Sequence, residues 1–207
     1  MFRTPALSHN HHHHPKSPTM SPSSYRHLLV SSASNWNSNC TMHDPGSGDS
    51  IAELRFSGRS GSGSLIIWDR SSTFEVRKEG HGTHWTLLGS NGKGRLATAT
   101  SGKRKSERVV KIDMGKSSWE LVSGRSRMRK RWDLYKLSSG YSKKGSKHVR
   151  TTKKREDLVG EVVGHGWRNG EHAVYVREDL PMEIVAFAAW MVRKGAKGDK
   201  RAAERGG

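Results

Sequence analysis

With one cysteine in 207 residues, Cys40, the chain has no route to an internal disulfide. That absence excludes a cross-linked secreted scaffold and fits a reducing compartment, so the cytoplasm is expected, with the nucleus or a peripheral membrane position as further options. Acidic residues are scarce, 19 against 37 Lys and Arg, which leaves a formal charge of +18. Apolar residues make up only 32% of the chain, so part of it is not expected to fold. Arg3 is followed by no apolar stretch of signal-peptide length. Acids are absent before Asp44, but Arg3, Lys16 and Arg26 are too sparse for a mitochondrial address. There is one long apolar run, Leu180 to Val192, and at about thirteen residues it falls short of the roughly twenty needed to cross a bilayer.

Signs of catalysis are equally missing. Gly115-Lys116-Ser117 looks like the end of a phosphate loop, but Val110 stands where the first glycine of that loop is required. His81, His84, His148, His165 and His172 occur singly, and Cys40 is remote from them, so no zinc-ligand spacing forms. No nucleophile elbow is present. Asp113, Glu120 and Asp133 could meet in space, but lone acids in so basic a chain are expected to pair with arginines. The four consecutive histidines from His11 to His14 read as low complexity, since no second ligand cluster accompanies them. The reading is of a protein that is not an enzyme, with no cofactor, no metal and no small-molecule substrate.

The positive charge is concentrated. From Lys93 to Arg155 there are 21 basic and 4 acidic residues, a balance of +17, whereas Glu156 to Trp190 holds 2 basic and 7 acidic residues, a balance of −5. Such a field steers the domain toward polyanions.

Residues 1–50, rich in Ser, Pro, Asn and His, read as a disordered tail. From Ile51 the texture turns to short alternating runs and Gly-rich turns. Strands are expected over 53–57, 65–68, 73–77, 84–88, 94–100, 109–114, 118–122, 127–137, 149–154, 158–163 and 173–177. Asn91-Gly92 and Gly115-Lys116 are hairpin signals between two pairs of them. This is the pattern of a mainly β chain, an antiparallel barrel or sandwich of about ten strands. Trp68, Trp85, Trp119, Trp132, Trp167 and Trp190 lie in or beside these elements, which favours packing in the core over stacking on a ligand.

Leu180-Pro181-Met182-Glu183 opens a helix, with proline suited to the first turn and Glu183 to the positive end of the helix dipole. Ile184, Val185, Phe187, Ala188, Met191 and Val192 leave no polar face, so the helix near 181–193 is expected to be buried on every side. Residues 195–207 read as a basic flexible tail. Many short strands, a basic surface and this terminal helix, with Ala173-Val174-Tyr175-Val176 before Leu180-Pro181, resemble the tubby C-terminal-like superfamily. That group includes tubby proteins, phospholipid scramblases and LURP-one-related proteins. Arg127 to Lys136 are similar to the basic-aromatic middle strand of its small fungal members. The resemblance spans Ile51 to about Arg193. It implies a closed barrel of about twelve antiparallel strands, here residues 51–194, around a hydrophobic C-terminal helix. It also implies a non-catalytic module that binds phosphoinositides or other anionic lipids.

In Gly124-Arg125-Ser126-Arg127-Met128-Arg129-Lys130-Arg131-Trp132, alternation puts Arg125, Arg127, Arg129 and Arg131 on one face of a strand and Met128 and Trp132 on the other. A row of guanidinium forks matches phosphate oxygens, although a solvated charged strand that blocks edge pairing has the same pattern. Lys103-Arg104-Lys105 and Lys143-Lys144, read as neighbouring loops, complete the expected anion-binding set. The expected partner is an anionic membrane surface or phosphoinositide, taken up by a monomer. Nucleic acid is the alternative ligand, and a protein-interaction scaffold the alternative role.

Overall fold

The computed structural model describes residues 25–32, 39–57, 62–79, 83–90, 92, 94–104, 107–123, 131–138, 155–165 and 171–204. These residues form twelve strands and one helix: β1 (Tyr25–Ser32), β2 (Cys40–His43), β3 (Ser50–Ser57), β4 (Ser62–Ile67), β5 (Ser72–Glu79), β6 (His84–Leu88), β7 (Arg95–Arg104), β8 (Glu107–Met114), β9 (Ser117–Ser123), β10 (Arg131–Leu137), β11 (Arg155–His165), β12 (Glu171–Arg177) and α1 (Met182–Glu204). Every strand pairs antiparallel with its sequence neighbours, and β1 pairs with β12 to close the barrel. Closure leaves no strand edge unpaired, which a chain so rich in β sequence needs in order to avoid edge association.

Alternation along the strands explains the core. Leu28 and Val30, Cys40 and Met42, Ala52, Leu54 and Phe56, Leu65 and Ile67, and Phe74 and Val76 are buried at every second position. The same holds for Val110 and Ile112, Trp119 and Leu121, and Trp132 and Leu134. In β11, Leu134 pairs with Gly160 but Tyr135 pairs with Leu158. Val159 is thus the extra residue of a bulge, which leaves Leu158 exposed and Val159 buried.

All residues from Ile184 to Val192 are buried. At 3.6 residues per turn, nine consecutive positions cover every direction around a helix, so this part of α1 is enclosed by the strands. It runs along the barrel. Its first turn is tied to the β4–β5 turn by an ion pair of 3.1 Å between Arg70 and Glu183. Trp190, two turns on, stacks on Phe56 near the opposite end of β3, with ring centroids 4.0 Å apart. Gly63 on β4 gives that indole room, because a Cβ there would lie 2.3 Å from Trp190 Cη2. No helix among the described residues is long and apolar enough to cross a membrane.

Three sequence expectations change. The barrel begins at Tyr25, not Ile51, because β1 and β2 lie within the stretch read as tail and supply Leu28, Val30, Cys40 and Met42 to the core. The helix does not end near residue 193 but continues to Glu204. Extending a helix that the barrel has already nucleated needs only propagation, and Ala196, Lys197, Lys200, Arg201, Ala202 and Ala203 favour it, against Gly198 and Asp199. Trp68, expected in the core, is 49% exposed. Ile67 is the last inward position of β4, and the Trp68 N–H is bonded to the Ile51 carbonyl (2.9 Å) at the start of the turn. The strand expected over 149–154 and Trp167 lie outside the described residues.

The β4–β5 turn offers a test of local geometry. Ser71 has φ of 48°, the left-handed region that costs a non-glycine residue about 1 kcal/mol. Ser71→Gly relieves that cost but loosens the unfolded chain by a similar amount, so its melting temperature should match the parent's. Ser71→Val should destabilise by more than about 1 kcal/mol, read by denaturant titration.

A basic mouth at one end of the barrel

In an antiparallel meander, successive connections alternate between the two ends. One end, the floor, holds the start of β1, the end of β12, the β2–β3, β4–β5 and β8–β9 turns and the start of α1. The other end, the mouth, is where β3, β5, β7 and β9 finish and toward which the buried stretch of α1 runs, as far as Val192 among the described residues. The two ends differ in charge.

At the mouth, the β7–β8 register sets Lys103 directly opposite Arg108 and Arg104 opposite Glu107. Lys103 shares the side of β7 that carries Ala97 and Ala99, and Arg108 the side of β8 that carries Val110 and Ile112. Both therefore sit on the lumen-facing side, and Arg104 with Glu107 on the outer side. Extending the same alternation places Lys78 beyond Phe74 and Val76 on β5, Ser123 beyond Trp119 and Leu121 on β9, and His172 before Val174 and Val176 on β12. Ser123 Oγ accepts the Arg108 N–H at 2.9 Å. Arg193 is the first residue of α1 past the buried stretch. Among the described residues, the lumen-facing positions at this rim carry Ser32, Lys78, Lys103, Arg108, Ser123 and His172, and no carboxylate. Like charges directly opposite each other on one face of a sheet are destabilising. The Lys103–Arg108 pair thus raises the potential at a rim that already contains Lys78.

Several basic side chains on the barrel hold acids two residues away. Arg55 pairs with Glu53 (2.9 Å), Arg77 with Glu75 (3.1 Å), Lys111 with Asp113 (2.8 Å) and Arg177 with Asp179 (2.7 Å). Arg131 follows the same rule. It faces outward as alternation predicts, with Trp132 and Leu134 turned into the core, but its Nε donates to Asp133 Oδ1 at 2.7 Å and its Nη2 lies 2.9 Å from Glu161. The hydrogen bond to Asp133 raises the pKa of that guanidinium further above its ordinary value. Arg131 is therefore held by two carboxylates rather than open to a phosphate. Glu120 pairs with Arg155, and Asp133 with Arg131, as expected for lone acids. Asp113 takes Lys111 and the hydroxyl of Ser118 instead.

Of the residues singled out from the sequence, Lys103 and Arg104 are brought to the mouth, in a strand rather than the expected loop. Lys105, Arg125, Arg127, Arg129, Lys143 and Lys144 lie outside the described residues. Arg125, Arg127 and Arg129 belong to the β9–β10 connection, whose attachment points Ser123 and Arg131 are at the mouth. Lys143 and Lys144 belong to the β10–β11 connection, whose attachment points Leu137 and Arg155 are at the floor. Lys78, Arg108 and Arg193 were missed. Their signal is a lumen-side position in a strand, or the end of an apolar helix.

The floor has the opposite character. A cleft of about 570 Å³ is lined by Arg26, Asp44, Asp49, Ser50, Ile51, Trp68 and Asp69. Asp44 Oδ1 accepts the Gly46 N–H at 2.7 Å and so shapes the β2–β3 turn. No group of His, Cys, Asp or Glu among the described residues is arranged to hold a metal ion. No protein-family model, curated protein or solved structure matches the chain.

Proposed function

We propose that the protein is a non-catalytic module that binds phosphorylated headgroups on anionic membranes at the mouth of its barrel. The observation that carries this reading is the juxtaposition of Lys103 with Arg108 on the lumen side, where no carboxylate stands at the rim among the described residues. A bound phosphate would turn the repulsion between those two side chains into charge-assisted hydrogen bonds to both. The resemblance to the tubby C-terminal-like superfamily supports a lipid headgroup as the source of that phosphate, and the +17 balance between Lys93 and Arg155 supports attraction to a negative surface.

Co-sedimentation of the full chain with neutral, phosphatidylserine and phosphoinositide vesicles tests the reading, with a Lys103→Glu/Arg108→Glu variant alongside. Phosphoinositide binding should exceed phosphatidylserine binding, and the variant should lose about tenfold or more in affinity, since two reversed charges remove four units of attraction at about 1 kcal/mol each at most. Equal binding by parent and variant would place the site elsewhere. Competition by duplex DNA with a linear fall of log affinity in log salt would identify nucleic acid as the ligand instead.

A further inference from the structure

The floor cleft, of about 570 Å³, has the size of a small-ligand site, and its lining combines an indole ring, a guanidinium and carboxylates. The ring belongs to Trp68. It is 49% exposed, whereas Trp85, Trp119, Trp132 and Trp190 are all buried, so core packing does not account for it. The bond from its backbone N–H to the Ile51 carbonyl fixes the turn that presents it. The guanidinium belongs to Arg26, which continues the inward series of Leu28 and Val30 on β1 and stands directly opposite Val176 of β12.

Arg55, Arg77, Arg131 and Arg177 each hold a carboxylate. Arg26 does not. Among the described residues no ion pair joins it to Asp44, Asp49 or Asp69, although all three line the same cleft. Asp44 is engaged by the Gly46 N–H of its own turn, but the carboxylates of Asp49 and Asp69 have no hydrogen-bond or ion-pair partner among the described residues. Opposite charges that line one cleft without closing on each other leave room between them for a guest that carries both signs. An ammonium group over the face of an indole is attracted by the ring quadrupole, and carboxylates beside it add Coulomb attraction. A guanidinium fork takes a phosphate or carboxylate through two parallel hydrogen bonds. We infer that the floor cleft is a binding site for a small zwitterion, with its ammonium end at Trp68, Asp49 and Asp69 and its acid group at Arg26. A polyanion is disfavoured there, because three carboxylates face one guanidinium. The two ends of the barrel therefore select different ligands, and the floor site does not depend on the membrane-binding reading of the mouth.

The test follows amide chemical shifts of the full chain as phosphocholine, choline or inorganic phosphate is added. Phosphocholine should shift Ser50, Trp68 and Asp69 and bind there about tenfold or more tightly than choline or phosphate, each of which meets only half of the site. Trp68→Ala changes an exposed side chain and keeps the backbone bond to Ile51, so the melting temperature should stay within surface scatter. Phosphocholine affinity should fall about tenfold in that variant, and Trp68→Phe should restore most of it. Arg26→Gln should bring phosphocholine down to the affinity of choline. Phosphatidylcholine vesicles that compete for the site would make a lipid headgroup the source of the zwitterion, and failure to compete would make it a soluble molecule. Equal affinity of the parent for choline and phosphocholine, or an Arg26→Gln variant with the parent's preference, would overturn the pairing of charges. Shifts confined to Lys103 and Arg108 at the mouth, or no shift at the floor with any probe at millimolar concentration, would overturn the site and leave the mouth reading to its own vesicle test.

Discussion

Replacing Trp190 with alanine should destabilise the protein by about 3–5 kcal/mol, a large part of the roughly 5–15 kcal/mol by which folded domains are stable. Trp190 is 0% exposed and stacks on Phe56 at the level where α1 approaches the mouth. The cost of a large-to-small change depends on how far the surroundings can close on the space left behind. Here they cannot close far, because twelve strands hydrogen-bonded in a ring fix the circumference around the helix. The upper part of the range is therefore expected, and Phe187→Ala, also at a fully buried position, should behave alike. Denaturant titration followed by circular dichroism measures it. A loss within about 0.5 kcal/mol, the ordinary scatter of surface substitutions, would mean that the helix does not fill the barrel.

The second large effect comes from the smallest residue at the same place. A Cβ at Gly63 would stand 1.9 Å from the Arg55 carbonyl oxygen and 2.3 Å from Trp190 Cη2. The first neighbour is backbone of the paired strand β3 and cannot rotate away. The second is a ring held on all sides. Gly63→Ala should therefore cost about 3 kcal/mol or more, at or beyond the usual range for overpacking. The two neighbours can be separated by a double-mutant cycle. Combining Gly63→Ala with Trp190→Leu removes the ring but not the carbonyl, so the pair should lose less stability than the sum of the single changes while staying well below the parent. Simple additivity would show that Gly63 and Trp190 do not meet.

These two residues also show what the sequence could and could not convey. The burial of Trp190 is legible, because an apolar residue in a run with no polar side has nowhere else to go. The demand for glycine at Gly63 is not legible, since Gly61-Ser62-Gly63 reads as turn chemistry until the helix is known to pass over it. Most strands announce themselves by period-two alternation, as Phe74 and Val76 or Val110 and Ile112 do. Strands β1 and β2 do not stand out, because Tyr25–Ser32 and the four residues Cys40–His43 lie in Ser- and Asn-rich surroundings that dominate the local composition. The site divides in the same way. Lys103 and Arg104 are visible as a basic run, and the outward aim of Arg131 follows from Trp132 turning inward. That Arg131 is occupied follows only partly from sequence: Asp133 is two residues away on the same face, but Glu161 arrives from β11. The opposition of Lys103 and Arg108 needs the β7–β8 register, which no local pattern supplies.

The most direct test of a basic mouth as the functional end is amide chemical-shift mapping of the full chain as a soluble inositol polyphosphate is added. Shifts are expected at Lys78, Lys103, Arg108, Ser123 and Arg193, around one end of the barrel, and none at Ser50, Trp68 or Asp69 around the other. Shifts confined to the floor cleft, or spread along the outer faces of β5 and β10 where arginines already hold carboxylates, would contradict it.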